Sequence, residues 1–186
     1  MRIATLLLLG ACGEPESEAE LEIPGTDIVL LSVDEGSFEM GSPDDEVGRG
    51  TDEAQHTVTL THGFWLGRTE ITQAQFEGVM GYSNAAMSDC NHCPAETLNW
   101  SEAAGFANEL SESENLESCY RCSGESSDLS CEARSDVYSC TGYRLPTEAE
   151  WEFAARAGTA TAFSDGGALT DGSETSCEEE VELASG

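Results

Sequence analysis

The chain has 186 residues, with 37 acidic side chains against seven basic ones and a formal net charge of -30. All seven basic residues are arginine, and so acidic a chain excludes capture of nucleic acid or of anionic lipid through clustered Lys and Arg. At 39% apolar residues, with three Trp, four Tyr and six Phe, the composition excludes wholesale disorder and provides for one domain of ordinary size.

Residues 1–12 read MRIATLLLLGAC. Arg2 is a short positive region, Ile3 to Leu9 are apolar, and Leu9-Gly10-Ala11 precede Cys12. This order is that of a bacterial export signal of the lipoprotein type, which predicts residues 1–11 as a cleaved signal and Cys12 as the acylated residue. Glu14, Glu16, Glu18, Glu20 and Glu22 alternate after it, and residues 12–26 are expected to form an acidic, extended tether. The domain proper is then expected over residues 27–186. No other apolar run reaches the 18 residues a membrane span needs, so the membrane is met through the lipid anchor alone. With Gly13 after the cysteine, the expected destination is the bacterial cell envelope, at the outer membrane or cell surface.

Ile28–Leu31 and Ser37–Met40 flank Asp34-Glu35-Gly36 and predict a β-hairpin. Pro43–Gln55 is an acidic loop. Thr57–Thr61 alternates as a half-buried strand with Val58 and Leu60 on one face, and Phe64-Trp65-Leu66 predicts a more buried one. Thr72–Gln75 is a capping box, followed by Phe76, Val79 and Met80 at helical spacing and Gly81 as a stop. Asn99 with Glu102 opens a second helix carrying Trp100, Ala103, Phe106, Ala107 and Leu110 inward. Thr147 with Glu150 opens a third, with Trp151, Ala154 and Ala155 inward. Strands mixed with separate short helices, with no βαβ rhythm, predict an α+β fold.

Setting Cys12 aside, seven cysteines remain: Cys90, Cys93, Cys119, Cys122, Cys131, Cys140 and Cys177. Two C-x2-C pairs fit a zinc ribbon, but their separation exceeds the usual spacing and an exported chain meets an oxidising compartment. Cys90, Cys93, Cys119, Cys122, Cys131 and Cys140 are therefore disulfide candidates, with 15 connectivities open. They would staple residues 111–141, which lack apolar periodicity. Cys177 is left without a partner. His92, inside Cys90-Asn91-His92-Cys93, admits a soft metal reading, but three scattered His are ordinarily solvated side chains and no metal ligands are assigned.

Gly142-Tyr143-Arg144-Leu145-Pro146-Thr147-Glu148-Ala149-Glu150-Trp151-Glu152-Phe153-Ala154-Ala155-Arg156-Ala157-Gly158 closely resembles the signature of the formylglycine-generating enzyme, or sulfatase-modifying factor, family. Gly36–Ser42, Thr69–Phe76 and Cys93–Ala103 are similar to the family's upstream blocks, in the family's order. The resemblance covers about residues 28–166 and implies an irregular α+β fold related to C-type lectins, incomplete here, with a C-terminal half missing. Active members oxidise a sulfatase cysteine to formylglycine with O2 and with copper held by two thiolates, and calcium often stabilises the fold. Those thiolates and the calcium ligands lie downstream in the family. None of the present cysteines matches a catalytic position, so no catalytic residue and no cofactor is identifiable in this chain. The resemblance places the Cys-rich stretch 119–140 with an insertion common in bacterial lipoprotein members, its cysteines structural.

Glu70 matches a family acidic position and is read here as a carboxylate near a helix start rather than as part of a peptide groove. The iron-dependent relatives take ligands from a helical domain that is not seen in these residues. The expectation is a sulfatase-modifying-factor-like protein without turnover on its own, its partner a sulfatase or another protein or peptide. The alternative is a non-catalytic, cell-surface binding module.

Overall fold

A computed structural model describes residues 19–86, 90–134 and 136–164. Cys12 and Cys177 lie outside them. The described residues fall into two compact units, one made of the segment ending at Ser32 with Trp65–Leu98, the other of Val33–Phe64 with the chain from Asn99 onward.

The first unit carries a three-stranded sheet in the order β1 (Glu20–Ile23), β2 (Ile28–Val33), β5 (Phe64–Gly67). β1 and β2 are antiparallel, with Glu20 opposite Leu31 and Ile23 opposite Ile28. Gly25 (φ 79°) and Asp27 (φ 55°) supply the positive φ that the reversal between them needs. The Thr26 hydroxyl closes the turn by donating to the Ile23 carbonyl at 2.9 Å. Of the tether expected over residues 12–26, residues 12–18 lie outside the described residues, and the described part forms a strand and turn instead. Glu20 and Glu22 face solvent, but the strand they belong to buries Ile23 at 2% exposure, and ordered structure begins before residue 27. On β5, Trp65 is 46% exposed, so that strand is less buried than its apolar run predicts.

α1 (Gln73–Met80) follows in the same unit with all four leading N–H groups satisfied. Gln73 N donates to Cys93 O at 2.9 Å and Ala74 N to Asn91 O at 3.1 Å. Gln75 N donates to the Thr72 hydroxyl at 3.2 Å and Phe76 N to Thr72 O at 2.9 Å. Phe76 is buried, and Gly81 ends the helix in the left-handed region.

In the second unit β3 (Gly36–Met40) pairs antiparallel with β4 (His56–Leu60), placing Phe38 opposite Val58 and Met40 opposite His56. The hairpin expected between residues 28–31 and 37–40 is not formed. A tight two-residue reversal needs positive φ at its central residues, and neither Asp34, Glu35 nor Gly36 adopts it. β2 pairs instead with β1 and β5, and β3 with β4 across the acidic loop.

α2 (Trp100–Ser113) starts at the Asn99–Glu102 capping box and buries Ala104, Phe106, Ala107 and Leu110. Against it lies a hairpin of β6 (Tyr120–Ser123) and β7 (Ser130–Ala133), within the stretch that showed no periodicity. Strands of four residues are too short to show it. Ala104, Ala107, Cys119, Tyr120 and Cys131 form the core, with Leu129, Cys140, Tyr143 and Leu145 packed on it. α3 (Glu148–Arg156) closes the described chain.

Three residues expected inward, Trp100, Trp151 and Ala155, are exposed. Trp100 is 49% and Trp151 61% exposed. At about 100° per residue, Trp151 lies a quarter turn from buried Glu150 and on the far side from Phe153, which define the inner face of α3.

Candidate functional site

The residues around α3 form a densely bonded polar site of the second unit. Thr147 is the N-cap, accepting from Glu150 N at 3.2 Å, and Glu150 accepts from Thr147 N at 2.8 Å. The Glu150 carboxylate also takes both arms of the Arg144 guanidinium, each at 2.7 Å, while being 1% exposed. Burial alone pushes the Glu150 carboxyl up. The Arg144 hydrogen bonds and charge, with the Thr147 amide, outweigh it and hold the group below the usual carboxylate range. The same bonds raise Arg144 above its ordinary value. The guanidinium lies 5.4 Å from the centroid of Tyr138, whose ring stacks on His62 at 5.6 Å.

One turn further along α3, Glu152 and Arg156 hold a distant loop. Glu152 Oε1 accepts from Gly41 N at 2.8 Å, and Arg156 donates to Gly41 O at 2.8 Å. Arg156 Nε donates to Glu152 at 2.8 Å, so the pair closes a ring on one peptide residue. Gly41 sits at φ 92°, and a Cβ there would come within 2.7 Å of Glu53 O and 3.0 Å of Ala54 O. Phe153 packs edge-on against Phe38 at 5.4 Å, and a Cβ on Gly36 would lie 2.9 Å from its ring. The Gly36–Ser42 and Gly142–Gly158 blocks therefore meet through Gly36, Phe38 and Gly41. Beside them, Glu53 is held below the usual carboxylate range, chiefly by the Ser42 hydroxyl, which donates to it at 2.6 Å.

α2 supports this site from behind. The Asn108 side chain bonds both main-chain groups of Tyr120, at 3.0 and 3.1 Å. The Ser111 hydroxyl accepts from Tyr143 N at 2.8 Å, and the Tyr120 hydroxyl accepts from Leu145 N at 2.8 Å. Gly142 leaves no room for a side chain, since a Cβ would lie 2.2 Å from Glu117 O. Burial, with the charge of Glu114 adding to it, pushes the Tyr143 hydroxyl up.

All six candidate cysteines among the described residues are paired: Cys90 with Cys93, Cys119 with Cys140, and Cys122 with Cys131. Cys122 and Cys131 are cross-strand partners in β6 and β7. The Cys119-x2-Cys122 spacing is thus no ligand pair, because its two members go to different partners, and a four-cysteine zinc site is excluded. The lipidation residue Cys12 and the leftover Cys177 lie outside the described residues. Glu70 is exposed and lies outside the first turn of α1, and His92 is exposed within its loop.

Copper on two thiolates does not fit these residues, since a disulfide sulfur is no thiolate. Among the described residues no three His, Cys, Asp or Glu side chains gather as a metal site. The residues that sequence reasoning missed are Asn108 and the Glu152–Arg156 pair. The i,i+4 spacing of the latter was legible, but its target, Gly41, was not.

Residues 15–181 match the family of the sulfatase-modifying factor enzyme 1-like domain. Over 109 residues the chain is 37% identical to the chaperone protein LppX of Paenibacillus barcinonensis, covering 54% of this chain and 38% of that protein. Among solved structures it is similar to Treponema denticola variable protein 1, with a TM-score of 0.60 and 26% identity over 80% of this chain and 59% of that one. It is also similar to PvdO from Pseudomonas aeruginosa, with a TM-score of 0.56 and 24% identity over 84% of this chain and 57% of that one, a likeness of fold. The chain thus spans 38% of its curated relative and 57% to 59% of these solved neighbours.

Proposed function

The chain belongs to the sulfatase-modifying factor enzyme 1-like domain family, and from that premise we propose that its described residues are the scaffold, not the reacting groups, of a formylglycine-generating-type domain on an exported lipoprotein. The single observation that carries this reading is the state of the cysteines. All six within the described residues are in disulfides, so none is free to bind copper or to act as a nucleophile. Copper, when bound in active relatives, supplies the redox chemistry that turns a sulfatase cysteine into formylglycine with O2. In this chain Arg144, Glu150, Glu152 and Arg156 are each committed to internal bonds, and their part is to hold loop and helix in place.

The test is direct. The purified chain, given copper, O2 and a sulfatase peptide bearing the target cysteine, is expected to form no hydrazide-reactive aldehyde. Aldehyde formation at a rate above that of copper alone would refute the scaffold reading. The envelope assignment rests on the Leu9-Gly10-Ala11-Cys12 order, and no described helix is long and apolar enough to cross a membrane. Cys12→Ser should move the protein from the membrane to the soluble fraction, and persistence with membrane would refute lipidation.

A second reading, a cell-surface module that binds a sulfatase or another protein or peptide without turnover, draws on the exposed rings of Trp100, Tyr138 and Trp151 at 49%, 52% and 61%. Large exposed aromatics are enriched where proteins bind proteins. Calcium-supported binding would show as thermal stability that falls on addition of EDTA, and an unchanged melting temperature would exclude the calcium version.

A further inference from the structure

The loop Cys90-Asn91-His92-Cys93 differs from the other disulfide sites in burial. Cys119 and Cys131 are core residues at 5% and 8% exposure, each tying one end of its bond into the packed interior, while their partners Cys140 and Cys122 are half-buried and exposed. Cys90 and Cys93 are both half-buried and stand outside that core, with Asn91 and His92 exposed between them. An incoming thiol can reach this bond without opening the core, and access is one of the terms that set the rate of exchange.

Ring size separates the three bonds as well. The Cys90–Cys93 bond spans a sequence separation of 3, against 21 and 9 for the others. The smaller the loop a disulfide closes, the less it restrains the unfolded chain and the less the fold resists its reduction.

The third observation is where the loop sits. Its carbonyls at Cys93 and Asn91 accept from Gln73 and Ala74, the first two residues of the eight-residue α1. The positive end of the helix dipole therefore falls on this loop. That favours a thiolate over a thiol in a C-x-x-C pair.

From these features we infer that Cys90–Cys93 is a thiol–disulfide exchange site whose substrates are thiols, distinct from the two core disulfides. An attacking thiolate forms a mixed disulfide with one cysteine, the S–S bond breaks, and the other cysteine leaves as a thiolate. A second substrate thiolate then attacks the substrate sulfur of the mixed disulfide, and the first cysteine leaves. The two substrate thiols are oxidised to a disulfide, and the pair takes up their two electrons and two protons to become two thiols. The substrate can be a small thiol or a protein dithiol, since the chemistry is shared. Reduction also loosens the loop that accepts from the start of α1.

The full chain would be equilibrated with glutathione buffers of graded potential, quenched with an alkylating reagent, and the labelled cysteines located by peptide mass. The Cys90–Cys93 pair is expected to be labelled at a thiol-to-disulfide ratio about tenfold less reducing than Cys119–Cys140 and about fourfold less reducing than Cys122–Cys131, the order that loop length sets. Labelling together with or after the core pairs would overturn the inference. With the pair reduced, the pH profile of its alkylation should have a midpoint below the roughly 8.5 of a free cysteine. A midpoint at or above the free value would count equally against the site. A reduced, unfolded ribonuclease in place of glutathione distinguishes the sources. Faster exchange with it marks a protein dithiol as substrate, faster exchange with glutathione marks a small thiol, and exchange with neither refutes the site. All readouts use the wild-type cysteines, so they hold even where Cys90→Ser fails to fold.

Discussion

Replacing Gly41 by alanine tests the contact that joins the two halves of the second unit. Two separate costs follow from the geometry. The backbone stands at φ 92°, where an L side chain costs about 1–2 kcal/mol. The added methyl would also lie 2.7 Å from Glu53 O and 3.0 Å from Ala54 O. Both are main-chain atoms, and Ser42 N holds the first by a 2.9 Å bond, so neither can swing aside as a side chain could. Overpacking of this kind costs about 1–3 kcal/mol, for a total of about 2–5 kcal/mol. Gly158→Ala is the control, because Gly158 has a similar φ of 85° and nothing within 4 Å of the new Cβ. It should show the backbone cost alone. The assay is urea unfolding of the disulfide-intact chain, with midpoints compared at constant slope. The excess of Gly41→Ala over Gly158→Ala isolates the steric cost. An excess of zero would mean that the Glu53–Ala54 strand entry does not press on Gly41, and the account of the clamp would fail.

Arg144→Met leaves the Glu150 carboxylate buried and unpaired, and should cost about 3–5 kcal/mol by the same unfolding assay. Stability against pH reads the same pair: the Glu150 carboxyl titrates lower in the folded state than its ordinary 4.5, so its contribution is complete above that value and is lost as pH falls through the folded one. Acid titration of unfolding free energy should show a decline below about pH 4.5 that Glu150→Gln makes shallower. Arg156→Lys keeps the charge but not the fork that serves Glu152 and Gly41 O together, so its midpoint should fall nearly as far as that of Arg156→Ala. Cys119→Ala with Cys140→Ala should cost about 3 kcal/mol against about 2 for Cys90→Ala with Cys93→Ala, following loop length, as measured by thermal unfolding.

What the sequence made legible was local. Thr72 with Gln75, Asn99 with Glu102 and Thr147 with Glu150 each form both bonds of a capping box, because the donors and acceptors are three residues apart and need no tertiary partner. Strand pairing was less legible. Residues 28–31 and 37–40 have strand character, yet their partners are chosen by the φ values of residues 34–36, which the residue types leave open. The aromatic residues of the helices were placed on the wrong face for a related reason. A periodicity count places Trp151 inside, yet Trp151 is exposed and Glu150 is buried. Arg144 reverses the order, since two hydrogen bonds and a full charge make the buried carboxylate tolerable, while the indole keeps its edge in water. Cysteine pairing could not be read at all until the register of β6 and β7 set Cys122 opposite Cys131.

The residues that carry the family resemblance turn out to have geometric reasons for their identity that involve no substrate. Gly36 clears the ring of Phe153, Gly142 clears the carbonyl of Glu117, and Gly41 takes a backbone angle and a closeness no side chain permits. Glu150 must be long enough to cap Thr147 and still meet both arms of Arg144, which a shorter acid cannot do. Arg156 reaches Glu152 and Gly41 O from two different nitrogens of one planar guanidinium, a fork that the single nitrogen of Lys cannot reproduce. A sequence block this exacting can identify a fold while saying nothing of turnover, because chemistry resides in sites placed on the fold rather than in the fold itself. For this chain the distinction is physical: Arg144 is paired with Glu150 and Arg156 with Glu152, and these four side chains hold loop and helix together.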